Sequence, residues 1–251
     1  MKTISTLLIF TCFFLQCNSV FTQDEKNGQK WYCYEETILP SELNEYYTIA
    51  LEMVQLCKEN DFPFSFHTWL TEDFKYQLWT PIESLDDIDK INKSWEKLLQ
   101  NWDKEKIAKF RGTKISNYSA TMEMHPDLTY EPENPRLESN EVRLCEWREY
   151  YLQTEKLDVA IEVVKNIREK LISLDYDNGW YFGLGGLGYE DPCLISWSLY
   201  KDEADKLAQT EKFAKMNAED VLKAMNDLIP CIRTSKTIYM IYIPELSYVK
   251  E

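Results

Sequence analysis

Two glutamates stand in aromatic-rich segments that parallel each other, Glu36 in "WYCYEETIL" (31–39) and Glu149 in "LCEWREYYL" (144–152). On a strand face turned into a partly apolar cavity, burial and like charge raise the pKa of such a pair and make one carboxylate a proton acceptor. The alternative is pairing with Arg148 or Arg143, or a place turned outward beneath helices. Arg148, flanked by Trp147 and Glu149 and close to Tyr150, carries the planar fork that holds a ligand carboxylate or carbonyl. An ion pair with Glu146 or Glu36 accounts for it equally well. His67 and Trp69 of "FSFHTWL" (64–70) fall on one strand face by alternation, and the matching stretch "YFGLGG" (181–186) sets Gly183 and Gly185 against them. Absent side chains in a strand mark the close approach of something else. One expectation is a ligand space opened by the glycines and lined by His67 and Trp69. The other is that the glycines serve packing and His67 is structural. His67 and Glu149 are therefore the catalytic candidates, and the other residues named with them are candidates for holding a ligand.

Other chemistries find little support. The chain has only two histidines, and no Ser-His-Asp or Cys-His arrangement follows from their order. The glycine run precedes a hairpin, whereas a nucleotide loop needs a helix N-terminus directly after it. No cysteine spacing fits a zinc site, so neither a metal nor a cofactor is expected. With 28 basic against 43 acidic residues and no basic stripe, nucleic acid is not an expected partner. Residues 1–22 read as a secretory signal with an apolar run from Leu7 to Leu15, and no other stretch is apolar enough to span a bilayer. A periplasmic or secreted location follows, with lipidation at Cys17 disfavoured by the bulky Gln16. Beyond the leader stand Cys33, Cys57, Cys145, Cys193 and Cys231, an odd set that leaves a free thiol or an intermolecular bridge.

The elements that must position these residues are written twice. Met122-x-x-x-Pro126-Asp127-Leu128-Thr129-Tyr130 recurs as Met240-x-x-x-Pro244-Glu245-Leu246-Ser247-Tyr248, and Trp79 recurs as Trp197 at the same offset. Each half begins with a β-rich segment. A helix follows, predicted by the spacing of Leu43, Tyr47, Ala50, Leu51 and Val54 with Ser41 as N-cap, and by Leu157, Ile161, Val164, Ile167 and Leu171. Hairpins follow over 64–80 and 180–200, then second helices over 85–109 and 202–227, then a strand that ends at the repeated proline. The order is β-α-β-β-α-β in each half, over 23–130 and 141–251, with the Pro- and Asn-rich 131–140 as linker.

One ferredoxin-like unit leaves the sheet face opposite its helices bare. Two units in one chain can cover each other. The expected fold is therefore α+β, two ferredoxin-like repeats forming an intramolecular dimeric α+β barrel with helices outside. "CEWREYYLQTEKL" (145–157) and "ISWSLYKDEADK" (195–206) resemble strand segments of NIPSNAP-type proteins, members of the dimeric α+β barrel superfamily. That resemblance implies a fused dimer, a central cavity and a small hydrophobic ligand. The functional expectation is an exported, monomeric protein that binds a small apolar or aromatic ligand in the central barrel cavity. The alternatives are a cofactor-independent monooxygenase- or isomerase-like enzyme and a protein-interaction module of the cell envelope.

Overall fold

A computed structural model of the chain describes residues 28–100, 102–216 and 219–250. The leader expected at 1–22 lies outside the described residues. The described residues form eight strands and six α-helices in the order β1 (Lys30–Ile38), α1 (Leu43–Glu59), β2 (His67–Thr71), β3 (Lys75–Ile82), α2 (Asp86–Gln100), α3 (Lys104–Gly112), β4 (Lys114–Met124), β5 (Leu144–Leu152), α4 (Leu157–Ser173), β6 (Tyr181–Gly185), β7 (Cys193–Tyr200), α5 (Glu203–Lys215), α6 (Glu219–Leu228) and β8 (Ile232–Tyr242). Among the described residues no helix is long and apolar enough to cross a membrane.

The strand order is β1-β3-β2-β8-β5-β7-β6-β4, a closed barrel with antiparallel neighbours throughout. It divides into β4-β1-β3-β2 and β8-β5-β7-β6, two ferredoxin-like sheets joined edge to edge where β2 meets β8 and β4 meets β6. Closure removes the free sheet edges at those seams. Two details differ from the sequence expectation. Ser41 sits in a single turn of 3₁₀ helix (Pro40–Glu42) ahead of α1 and makes no cap to it. The second helix of each repeat is two helices: the side chain of Asp103 accepts from Glu105 N at 2.8 Å and starts α3 afresh, while α5 ends at an extended Met216 before α6.

The repeated phrase has a mechanical explanation. Tyr130, at the end of the first repeat, exchanges two backbone hydrogen bonds of 2.8 Å with Trp180 of the second, and Tyr248 exchanges bonds of 2.7 and 2.9 Å with Phe66 of the first. Beside them Thr129 Oγ1 accepts from Phe182 N at 3.0 Å and Ser247 Oγ accepts from Thr68 N at 2.9 Å. Leu128 then packs with Leu152, Ala160 and Val164 beneath α4, and Leu246 with Ile38, Tyr46 and Ile49 beneath α1. Each repeat thus ends as a latch inserted into the helical core of the other.

The barrel interior is a packed core. Trp31, Cys33, Trp79, Met122, Cys145, Trp147, Ile195, Trp197 and Met240 form one buried cluster there. Trp79, Trp147, Trp197 and Tyr181 run across it with successive ring centroids 5.1, 5.5 and 5.6 Å apart. An eight-stranded barrel has an interior just wide enough for side chains to fill, and large rings fill it. The ligand space expected at the barrel centre is occupied by the chain's own tryptophans.

Candidate functional site

Strand register decides which predicted residues face inward. Cys33 lies opposite Trp79, and Trp147 opposite Trp197, so Cys33 and Trp147 are mates under the pseudo-twofold. The mate of Glu149 is therefore Glu35, one residue from the expected Glu36, and a slip of one residue exchanges the faces of a strand. Glu149 lies among the interior residues, accepting from Trp147 Nε1 at 3.3 Å and Tyr151 OH at 2.7 Å. Glu35 accepts from Gln77 Nε2 at 2.7 Å, with Lys75 Nζ at 3.7 Å. Glu36 faces the helices, where Tyr46 OH donates to it at 2.7 Å and Lys114 pairs with it.

The glycine comparison shifts by two residues, which keeps the face. His67 pairs with Trp79 and Tyr181 with Trp197, so Tyr181 is the mate of His67, and Gly183 is the mate of Trp69. A Cβ at Gly183 would lie 2.7 Å from Glu123 O and 3.1 Å from the Met122 side chain, and one at Gly185 would lie 2.7 Å from the Tyr189 ring. What approaches these glycines is the protein itself, strand β4 and Tyr189. Gly183→Ala should accordingly cost about 1–3 kcal/mol by overpacking, read as a lowered midpoint in denaturant melts with an unchanged slope. His67 Nδ1 is 3.3 Å from Tyr242 OH, and Trp69 packs on the Tyr242 ring with centroids 5.0 Å apart. Burial holds the His67 pKa below its ordinary value, which keeps the ring neutral at pH 7.

Glu149 is 7% exposed and makes no ion pair among the described residues. Acidic side chains surround it: burial first, then the Glu149 charge, pushes Cys193 up to about 12, and burial likewise raises Tyr189 and Tyr151, with Glu149 adding to both. All five described cysteines are free and buried, three of them, Cys33, Cys145 and Cys193, in the barrel interior. Glu149 is packed among the rings and thiols of the barrel core, and neither of the two cavities between sheet and helices includes it.

Space for a ligand lies between the sheets and the helices. In the second repeat Arg148 points outward, its Nε 2.8 Å from Glu146 Oε1, into a cavity of about 260 Å³ shared with Asn178, Trp180, Tyr200 and Phe213. Tyr150 packs against the neighbouring core under α4. The first repeat holds a larger cleft of about 690 Å³ between β1 and β3 on one side and α1 to α3 on the other. Tyr32, Tyr34, Trp95, Trp102 and Phe110 supply aromatic walls, and Glu36, Tyr46 and Lys114 form a polar group at one side. Its volume falls within the range of small-molecule sites.

The two clefts differ at equivalent positions. Lys114 pairs with Ile38 where Ile232 pairs with Leu152; Glu36 and Tyr150 each precede that pair by two residues; Tyr46 and Ala160 are each the fourth residue of a 17-residue helix. In the second repeat these positions pack on one apolar cluster, with Leu152, Ala160 and Val164 fully buried. In the first, burial raises the Tyr46 hydroxyl pKa well above normal and pushes Tyr34 up to about 12, helped in both by the Glu36 charge. Burial also lowers the Lys114 pKa, against the opposing pull of Glu36. Tyr46, Trp95, Trp102 and Lys114 did not enter the sequence reading. Comparing the repeats position by position in the correct register would have exposed the Glu36, Tyr46 and Lys114 set.

Solved structures share this architecture. An anthrone oxidase-like protein superposes with a TM-score of 0.57 at 10% identity, covering 88% of this chain and 94% of its own. A monooxygenase candidate from Fusobacterium nucleatum gives 0.55 at 11% identity over 86% and 93% of the two chains. Chlorite dismutase from Candidatus Nitrospira defluvii, solved with imidazole, gives 0.52 at 10% over 88% and 93%. The fold is the dimeric α+β barrel. No protein-family model matches the chain, and no curated protein does. At such identities the barrel is what is shared. Among the described residues no group of three or more metal-ligating side chains comes together within it.

Proposed function

We propose that the chain binds a small aromatic or apolar molecule carrying one polar group, in the cleft of the first repeat. The observation that carries this reading is the difference between the repeats: the second leaves about 260 Å³ between its sheet and helices, and the first keeps about 690 Å³ walled by aromatic rings. Aromatic walls supply area for a planar ligand, and the Glu36, Tyr46 and Lys114 group supplies orientation. Barrels of this fold described as an anthrone oxidase-like protein and a monooxygenase candidate support an enzyme acting on a phenolic or polycyclic compound as the second reading, in the same cleft. The NIPSNAP likeness, export through the leader and a monomeric state complete the proposal.

The test uses 2-naphthol as a probe. Asn92 is exposed on α2 at the cleft, and Thr210 lines the cavity of the other repeat. Asn92→Trp should weaken 2-naphthol binding on the order of tenfold, about 1.4 kcal/mol, with Tm unchanged. Thr210→Trp should leave binding as it was. Equal binding by both variants and the parent chain would remove the first-repeat cleft from consideration.

A further inference from the structure

Lys114 opens β4 with its side chain in the cleft. Its Nζ lies 3.7 Å from the centroid of the Phe110 ring and pairs with Glu36, whose other carboxylate oxygen accepts from Tyr46. Only 17% of the lysine side chain and 5% of the glutamate side chain reach solvent. Desolvating two charges costs several kcal/mol per ion, which their attraction offsets only in part. The fold does not require that cost, because the second repeat fills the same three positions with Tyr150, Ala160 and Ile232 and packs tightly. Lysine, unlike arginine, gives up its proton readily when buried, and Glu36 is placed to receive it.

We propose that Lys114 is a nucleophilic amine that forms an imine with the carbonyl carbon of an aromatic or apolar aldehyde or ketone held in the cleft. This rests on the cleft reading above and names its substrate class. In the resting pair Lys114 is an ammonium and Glu36 a carboxylate. Passing one proton to Glu36 frees the nitrogen lone pair, which attacks the carbonyl carbon. A C–N bond forms as the C–O π pair moves to oxygen, and that oxygen takes the Glu36 proton. The nitrogen then returns a second proton to Glu36, giving a neutral carbinolamine. Its lone pair expels the hydroxyl, which leaves as water with the Glu36 proton. The product is a protonated imine, and Glu36 ends as a carboxylate; ammonium plus carbonyl has become iminium plus water. Tyr46, hydrogen-bonded to Glu36, positions the carboxylate through these proton transfers.

The experiment treats the intact chain with limiting 2-naphthaldehyde and sodium cyanoborohydride, which delivers hydride to an imine and fixes it as a secondary amine. Peptide mapping by mass spectrometry then compares labelling of Lys114 with that of Lys58 and Lys97, exposed residues of α1 and α2. At pH 7 Lys114 should be labelled faster than either, because burial lowers its pKa and enlarges the fraction present as free amine. Its labelling should also rise at lower pH than theirs. The titratable groups that line the cleft with it are Glu36 and Tyr34 from β1, Tyr46 from α1, Arg111 from α3 and Glu96 from α2, of which Glu36 and Arg111 act on its charge. A lysine held only as a structural ion pair is buried and protonated, and would be labelled more slowly than exposed lysines; that result overturns the inference. Binding of 2-naphthol, which has no carbonyl, is measured alongside. Normal 2-naphthol binding with slow Lys114 labelling rejects the imine and leaves the cleft reading standing. Failure of both rejects both.

Discussion

Leu246→Ala should lower the unfolding free energy by about 3 kcal/mol, within the 2–5 kcal/mol typical of a buried leucine truncated to alanine. Leu246 is 3% exposed and packs on Ile38, Tyr46 and Ile49 under the first helix of the other repeat. Its neighbours cannot collapse onto the vacancy easily, because the tail that carries it is fixed on both sides. Thr68 donates its hydroxyl to Leu246 O at 2.6 Å, and Ser247 accepts from Thr68 N. Leu128→Ala, its counterpart under α4, should cost about the same. The more telling result concerns cooperativity. Because each latch belongs to one repeat and its socket to the other, either variant should shift a single unfolding transition, with tryptophan fluorescence and far-UV circular dichroism moving together. Two separated transitions, or a loss below about 1 kcal/mol for both variants, would mean that the tails only decorate the surface and that the halves are stable apart.

That latch explains why the fold was legible in the sequence. A phrase ending in Pro-acidic-Leu-hydroxyl-Tyr recurs because the same socket is built twice, and its last three residues each have a task there: the leucine fills a core, the hydroxyl bonds a strand amide, and the tyrosine closes a bridge. The β-α-β-β-α-β order and the intramolecular barrel could be read from it. The site could not, for two reasons. Strands covered on both faces are apolar on both, so alternation does not say which face is interior. The Glu35-Glu36 doublet then offers a glutamate to either register, and letter matching chose the wrong one. The glycines left two readings open for a related reason: a glycine marks close approach without naming what approaches, and here it is Met122, Glu123 and Tyr189. Nor does a sequence reveal that an eight-stranded barrel has been filled by its own tryptophans, since ring count is the same whether the rings line a cavity or stack across it.

Lys114→Ile installs the residue that the second repeat uses at this place, yet by itself it should be strongly destabilising. It would leave the Glu36 carboxylate, 4% exposed, with the Tyr46 hydroxyl as its hydrogen bond and without its cation, a situation that costs about 3–5 kcal/mol. Adding Glu36→Gln removes the stranded charge while keeping an acceptor for Tyr46, so the double variant should regain most of that loss. Urea melts of the parent, both single variants and the double variant give the coupling energy directly. A coupling energy of at least about 2 kcal/mol is expected; losses that simply add would show that the pair contributes nothing as a pair. The second half of the result bears on why the pair exists. Replacing a buried ion pair by neutral groups of similar size is often harmless to stability. If the double variant folds as well as the parent and Lys114 is still the fastest-labelled lysine of the unaltered chain, the charges are kept in this repeat for the chemistry of the cleft, since the sibling repeat holds the same scaffold together without them.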